Sequence, residues 1–288
     1  VVSLLKVVRT IDKDFLNLEE QTNRLIKKYE RRIQLGYRDA LNELRKEISM
    51  LYEKYSDEEG KLTLEQMNKY DRISRLEKTI AATLTTLYLA NRRQINSSLR
   101  EIYSYNTNGA INAVKRATDT LPSVRLNFDG IVKKLDVAKV INEEMAGLNW
   151  ATRMNKHRAD VIYNVERTVR EGLYQGDTYK TMAKRLKDSL EGDVINPTRI
   201  VRTESGRVMQ QAHKDIMDEV AKEADVTKKW LTSRDERVRS SHNALSNIVI
   251  PYDDLFTFPS GNTTFAPKLS GIASEDINCR CVLSYDIR

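Results

Sequence analysis

Residues 33–60, IQLGYRDALNELRKEISMLYEKYSDEEG, decide the fold. Ile33, Tyr37, Ala40, Leu44, Ile48, Leu51 and Tyr55 recur at steps of 4, 3, 4, 4, 3 and 4. Those steps put one apolar stripe on a helix of about 3.6 residues per turn. Asp57-Glu58-Glu59-Gly60 then ends the pattern with charge and a glycine suited to a helix terminus. Thr63 and Gln66 have the spacing of a capping box, which opens a second helix. Its stripe is Ile73, Leu76, Ile80, Leu84 and Leu87, continued by Ile95, Leu99 and Ile102. Long helices joined by a short connection hide their stripes against each other, because an exposed helix gains little without tertiary burial. The expectation is a long antiparallel helical hairpin, with residues 1–135 forming an elongated helical arm.

Working outward, Pro122 and the segment RLNFDG (125–130) punctuate the chain, and a helix is expected over 137–145. Ile162, Val165, Val169 and Leu173 mark the next helix. Gly176-Asp177 ends it, with Asp177 placed to cap a helix over 178–190. Asn196-Pro197 opens a further helix running to about Glu223. Beyond Asp225 the pattern changes. VTKKWLT (226–232) reads as a strand, and Ser233 with Glu236 reads as a capping pair for a short helix over 235–245. A long loop over 257–271 and a closing strand over 280–287 follow. The fold class is therefore mostly α, with helices over 136–224 and a small α+β unit over 225–288.

Composition narrows the function. The 288 residues hold 48 Lys+Arg against 41 Asp+Glu, a surplus of +7. The surplus is uneven. Residues 61–120 hold 10 basic against 5 acidic side chains and 121–190 hold 13 against 9, so 61–190 carries +9 and the remainder −2. A basic surface on the central helices suits a polyanion, and a solvated helical face is the plainer alternative. No run approaches the length of a membrane span, and residues 1–8 lack the length and cleavage site of a secretory leader. Two cysteines one residue apart give no disulfide framework, so synthesis inside the cell is expected.

His242, Cys279 and Cys281 form the most pointed chemical cluster, with Asp235 a weaker fourth candidate. Thiolates and imidazole are the usual zinc ligands, and a tetrahedral site stabilises a small unit with a thin core. Strand alternation lets both cysteines face one side. Two buried thiols beside a hydrogen-bonded histidine are the alternative. Arg202 and Glu204 share one helix, where residues at that spacing do not face each other. One of them is expected to be buried and to bridge to the α+β unit; an anion-binding or ADP-ribosyl-transfer role is the sharper reading. Trp230 is expected to anchor the small core, while His157 and His213, set among charged residues, are expected at the surface. The common nucleotide-loop, hydride-transfer, serine-hydrolase and HExxH motifs are absent.

In order, Arg202-Thr203-Glu204, Lys229-Trp230, Asp235-Glu236-Arg237-Val238-Arg239, His242 and Asn278-Cys279-Arg280-Cys281 resemble the phage head morphogenesis domain typified by the Mu protein F family. The likeness covers roughly residues 155–288. It implies a minor head protein of a tailed bacteriophage, built in the host cytoplasm and housed in the virion near the portal. Implied partners are the portal protein and other capsid and scaffold components, with an oligomer a further expectation; weak contact with packaged DNA, without sequence preference, is expected from the basic section of the helical arm. Some members affect genome ejection. The resemblance also makes the histidine and paired cysteines a recurring signature, with Arg202, Glu204, Trp230, Asp235, Arg239, Asn278 and Arg280 as its structural residues. No catalytic residue is assigned. The alternative is an enzyme domain in a phage-encoded protein, an ADP-ribosyltransferase using Arg202 or a metal-dependent hydrolase using His242 and the cysteines.

Overall fold

The structure is a computed structural model. It describes every residue except Val1, Thr120, Pro122, Ser123, Arg234 and Asp235, with the backbone alone for residues 2–10 and Asp12. Asp235, the weaker ligand candidate, and Pro122 thus lie outside the described residues. The helices are α1 (Val2–Tyr55), α2 (Leu64–Asn68), α3 (Arg72–Thr118), α4 (Phe128–Lys134), α5 (Val137–Asn142), α6 (Trp150–Tyr174), α7 (Tyr179–Asp193) and α8 (Ile195–Val220). After them come β1 (Val226–Leu231), α9 (Ser240–Asn243), β2 (Val249–Pro251), β3 (Phe256–Thr257), β4 (Thr263–Thr264), α10 (Ala273–Asp276) and β5 (Val282–Ile287). The mostly helical class with a small terminal α+β region is as the sequence predicts. The chain divides into two compact units, each assembled from separated segments.

One unit comprises Tyr29–Ile95 and Trp150–Ile200. Within it α1 and α3 run antiparallel: Arg32 donates to Gln94 at 3.4 Å, while Gly36 faces Leu87 and Asn91. Ile33, Tyr37, Ala40, Leu44 and Ile48 are buried as expected, but the stripe then passes through Tyr52, leaving Leu51 and Tyr55 half-buried. A straight helix drifts relative to a strict apolar repeat, and the fifth turn shows it. Thr63 and Gln66 do form a reciprocal capping box, for α2. The chain breaks again at Tyr70 and Asp71, both at positive φ (56° and 59°), before α3 begins. α6 packs on α7, and Val161, Val165, Val169 and Leu173 on α6 and Met182, Leu186 and Leu190 on α7 are buried. The expected Asp177 cap is not made. Thr178 holds the N-cap position, and Asp177 instead pairs with Arg185 at 2.6 Å.

The other unit comprises residues 1–28, Asn96–Asn149 and Val201–Arg288. Here too α1 and α3 are antiparallel. Asp14 meets Arg116 at 3.0 Å, Thr22 meets Asn106 at 2.9 Å and Lys28 meets Glu101 at 3.8 Å. Gly109 makes the closest approach possible, since a β-carbon there would lie 2.2 Å from Leu18 Cδ2. α8 runs through the centre, with Val208, Ala212, Ile216 and Met217 excluded from solvent. Against it lies an antiparallel sheet of order β2-β1-β5, with Trp230 opposite Leu283 and Lys228 opposite Tyr285.

Three local expectations change. The helix expected over 235–245 shrinks to α9, whose N-cap position is Arg239 without a side-chain cap, so Ser233 and Glu236 do not cap it. The long loop over 257–271 contains half of a small hairpin, in which Phe256 pairs with Thr264. His213 is not at the surface but 0% exposed, because α8 is covered on nearly every side. Its Nε2 bonds Asn106 Oδ1 at 3.0 Å, and its ring meets Phe15 edge-on. His157 is half-buried.

Candidate metal centre

Four short elements bring His242, Cys279 and Cys281 together. α9 carries His242, tied back by its amide to Arg239 O at 3.1 Å. α10 ends at Asp276, whose carbonyl accepts from Cys279 N at 3.2 Å, setting the height of the first cysteine. The Asp276 carboxylate takes the amides of Ser270 and Gly271 at 3.2 and 2.8 Å and the Ser270 hydroxyl at 2.8 Å, which fixes the preceding loop. Asn278, at φ 57°, turns the chain into the Cys279-Arg280-Cys281 segment just ahead of β5. The cysteines therefore sit before the strand rather than within it, and the Asn278 turn accompanies their convergence where strand alternation was expected to supply it.

Nδ1 of His242 lies 3.5 Å from Sγ of Cys279 and 3.5 Å from Sγ of Cys281. The three donor atoms all fall within 4.8 Å of one another. A thiolate and an imidazole on one tetrahedral zinc stand about 3.5 Å apart, given bonds of about 2.3 and 2.0–2.1 Å. The donor set and its spacing fit that ion. The other ring nitrogen, Nε2, lies 2.9 Å from Glu275 Oε2, which also accepts from Ser241 Oγ at 2.9 Å. With Nε2–H donating to a carboxylate, Nδ1 is left as the ligating nitrogen, the arrangement that metal-bound histidines usually show. The cluster is closed off: His242, Cys279 and Cys281 are 2%, 8% and 3% exposed. Trp230 meets the imidazole edge-on at 5.5 Å and Phe258 stacks on it at 5.5 Å.

Electrostatics prepare one thiolate. A hydrogen bond from the Cys281 thiol, acting against burial and helped by His242, holds Cys279 well below the usual thiol range. Cys281 is pushed up, first by donating that bond and then by burial. Burial disfavours the charged form of His242, but its contact with Cys279 and the nearby Glu275 outweigh this and raise its proton affinity.

The remaining signature residues divide. Trp230 is fully buried and anchors the centre. Arg239 donates to the Ile277 carbonyl, joining α9 to the segment before Cys279. Glu204 is buried and pairs with Arg207 at 2.9 Å, an arginine that nothing in the sequence singles out. Arg207 also reaches Glu143 at 3.1 Å and the Val140 carbonyl at 2.8 Å, so it ties α8 to α5. Arg202 is half-buried and lines a cavity with Arg280, while Asn278 is exposed and its amide reaches Thr203 Oγ1 at 3.4 Å. Glu275 and Asp276 carried no motif of their own. Their only signal is an acidic pair shortly before Cys279.

Residues 163–284 match the family model described as Phage Mu protein F like protein. The chain is 25% identical over 271 residues to Minor head protein GP7 of Bacillus phage SPP1, covering 94% of this chain and 86% of that protein. It is 32% identical over 147 residues to NAD(+)--arginine ADP-ribosyltransferase EFV of Enterococcus faecalis, covering 50% of this chain and 30% of that enzyme. No solved structure matches. Among the described residues no helix is long and apolar enough to cross a membrane.

Proposed function

Residues 163–284 form a Phage Mu protein F-like domain, and from that premise we propose that the chain is a minor head protein of a tailed bacteriophage. The observation that carries this reading is the match to a minor head protein over 94% of the chain and 86% of the relative, far beyond the domain alone. We assign it a place in the virion beside the portal, with the portal protein and other capsid components as partners, synthesis in the host cytoplasm and a part in genome ejection. Residues 1–135 act as a helical arm and residues 136–288 as the head morphogenesis part. The +9 surplus of residues 61–190 supports weak, sequence-independent contact with packaged DNA, which counterion release makes salt-sensitive.

His242, Cys279 and Cys281 hold a structural zinc ion in this reading, and Glu275 orients the histidine. When bound, the ion staples α9 to the segment that leads into β5. Burial of all three ligands favours a staple over a reaction centre.

The transferase relative supports a second reading, an ADP-ribosyltransferase. The chain spans 30% of that enzyme and contains no Glu-x-Glu pair anywhere. Glu275, the one glutamate after Glu236, is bonded to His242 and Ser241. The structural reading therefore leads. Mass spectrometry of gradient-purified heads from infected cells tests it: the chain should cofractionate with portal-containing particles. Its absence from heads and portal assemblies, or transfer of ADP-ribose from labelled NAD by the purified chain, would overturn it.

A further inference from the structure

A cavity of about 500 Å³ lies in the unit that carries the metal centre, between α1, α8 and the loops bearing Arg237, Lys268 and Arg280. Its volume falls in the range of small-ligand sites and is too small for a duplex. Among the described residues six cationic side chains line it, against the carboxylates of Glu19 and Glu20 and the Cys279 thiolate, a formal 6 − 3 = +3. Arg24 and Glu20 cancel each other at 2.6 Å on the α1 surface. Glu19 lies within electrostatic reach of Lys268 and Arg280. Among the described residues Arg202, Arg237, Arg280, Lys27 and Lys268 outnumber the remaining anionic groups, Glu19 and Cys279.

Lys268 shows that the cavity is built rather than incidental. It is only 5% exposed, and among the described residues its ammonium makes no hydrogen bond or ion pair. Gly206 on α8 gives its stem room, since a β-carbon there would lie 2.8 Å from Lys268 Cδ. Its backbone sits at φ 69°, a conformation that costs a non-glycine residue about 1 kcal/mol or more. Lys268 thus reaches the cavity wall without a hydrogen-bond partner among the described residues, within electrostatic reach of Glu19 and Cys279. A second cavity of about 430 Å³ shares Glu19, Glu20, Asn23 and Arg280 with the first and continues it towards Leu231 and Ser233.

We propose that this cavity binds a phosphate-bearing ligand of nucleotide size, the phosphate held by Lys268 and the arginines around it. Guanidinium forks and a lysine point charge are the groups that recognise phosphate oxygens. The proposal does not rest on a role in phage heads.

Calorimetric titration of the full chain tests it at low and high sodium chloride, with inorganic phosphate and 5′-phosphorylated thymidine dinucleotide as probes. The unphosphorylated dinucleotide serves as comparator. The phosphorylated dinucleotide should bind, more weakly at high salt, and the comparator should not. Displacement by inorganic phosphate would place recognition in the phosphate alone; failure to displace it would add the nucleoside to the recognised group. Lys268→Gln should weaken binding about tenfold, the worth of one charge-assisted hydrogen bond. Lys27→Gln, on the exposed face of α1, provides a variant whose folding is not at stake, and it should weaken binding too. Lys184→Gln, remote in sequence and exposed, should change nothing. No binding by either phosphorylated probe, equal binding of the comparator, or equal losses in Lys184→Gln and Lys268→Gln would overturn the site.

Discussion

Glu275 Oε2 accepts from His242 Nε2 at 2.9 Å, and this bond leaves the opposite ring nitrogen facing two sulfurs. Glu275→Gln keeps the size but removes the charge that favours the ligating tautomer. Zinc affinity should fall about 10- to 100-fold, as when other outer carboxylates are lost. Competition with a coloured chelator measures it. Cys279→Ser should remove binding altogether, and chelation of the wild type should lower its melting temperature. Stoichiometric zinc retained by Cys279→Ser would show that these side chains are not the ligands.

Tyr37 and Tyr88 both donate to Asp193 Oδ2 at 2.6 Å, joining α1, α3 and the end of α7 within one unit. Burial, together with the neighbouring charge, raises the proton affinity of both phenols, so they stay donors at any working pH. Tyr37→Phe should cost about 1.5–3 kcal/mol, the worth of a bond to a charged acceptor. Asp193→Ala orphans two buried hydroxyls at once and should cost more than that single loss. Urea unfolding with an unchanged slope separates the two. Equal losses would mean that the second tyrosine finds another partner.

The helices and the hairpin were legible because burial repeats along them: all eight residues of the second stripe, from Ile73 to Ile102, are buried. The His242, Cys279 and Cys281 cluster was legible from residue type alone. Glu275 was not, since a carboxylate that orients a ligand has no required spacing from it. Arg207 and His213 were missed because a helix surrounded on all sides has no polar face to predict, and its polar residues must bond inside. The two compact units draw on separated segments of α1 and α3, and periodicity along one helix carries no mark of which neighbours each stretch meets.

Asn106 bridges a buried polar chain, donating to Thr22 Oγ1 at 2.9 Å and accepting from His213 at 3.0 Å. Burial, then the charge of Lys268, depresses the His213 pKa to about 3, so the ring is neutral at pH 7. Asn106→Ala strands the histidine N–H and the threonine hydroxyl. We expect a loss of about 2–4 kcal/mol, from two unsatisfied buried groups. A loss under half the lower figure in urea unfolding would mean that water or a rotamer change satisfies both.

Lys228 on β1 is fully buried, with its ammonium over the Phe265 ring at 3.2 Å and without a hydrogen-bond partner. Burial, then the charge of Lys214, lowers its pKa to about 7, against the pull of Asp253, Asp254 and Asp218. An unfolded lysine titrates near 10.4. Between about pH 7 and 10.4 the unfolded chain thus binds more protons than the folded one, and this group makes stability rise with pH across that window. Below it the folded protein carries the full cost of a buried charge; above it the cost is gone. Lys228→Met removes the charge and keeps the length, so it should stabilise the chain by about 1–3 kcal/mol at pH 6. That advantage should shrink steadily and vanish near pH 10, because Lys214 and the three aspartates are common to both proteins and cancel in the difference. Paired urea unfolding curves across the range measure it. An advantage that stays constant with pH would place its origin in packing and leave Lys228 with an ordinary pKa.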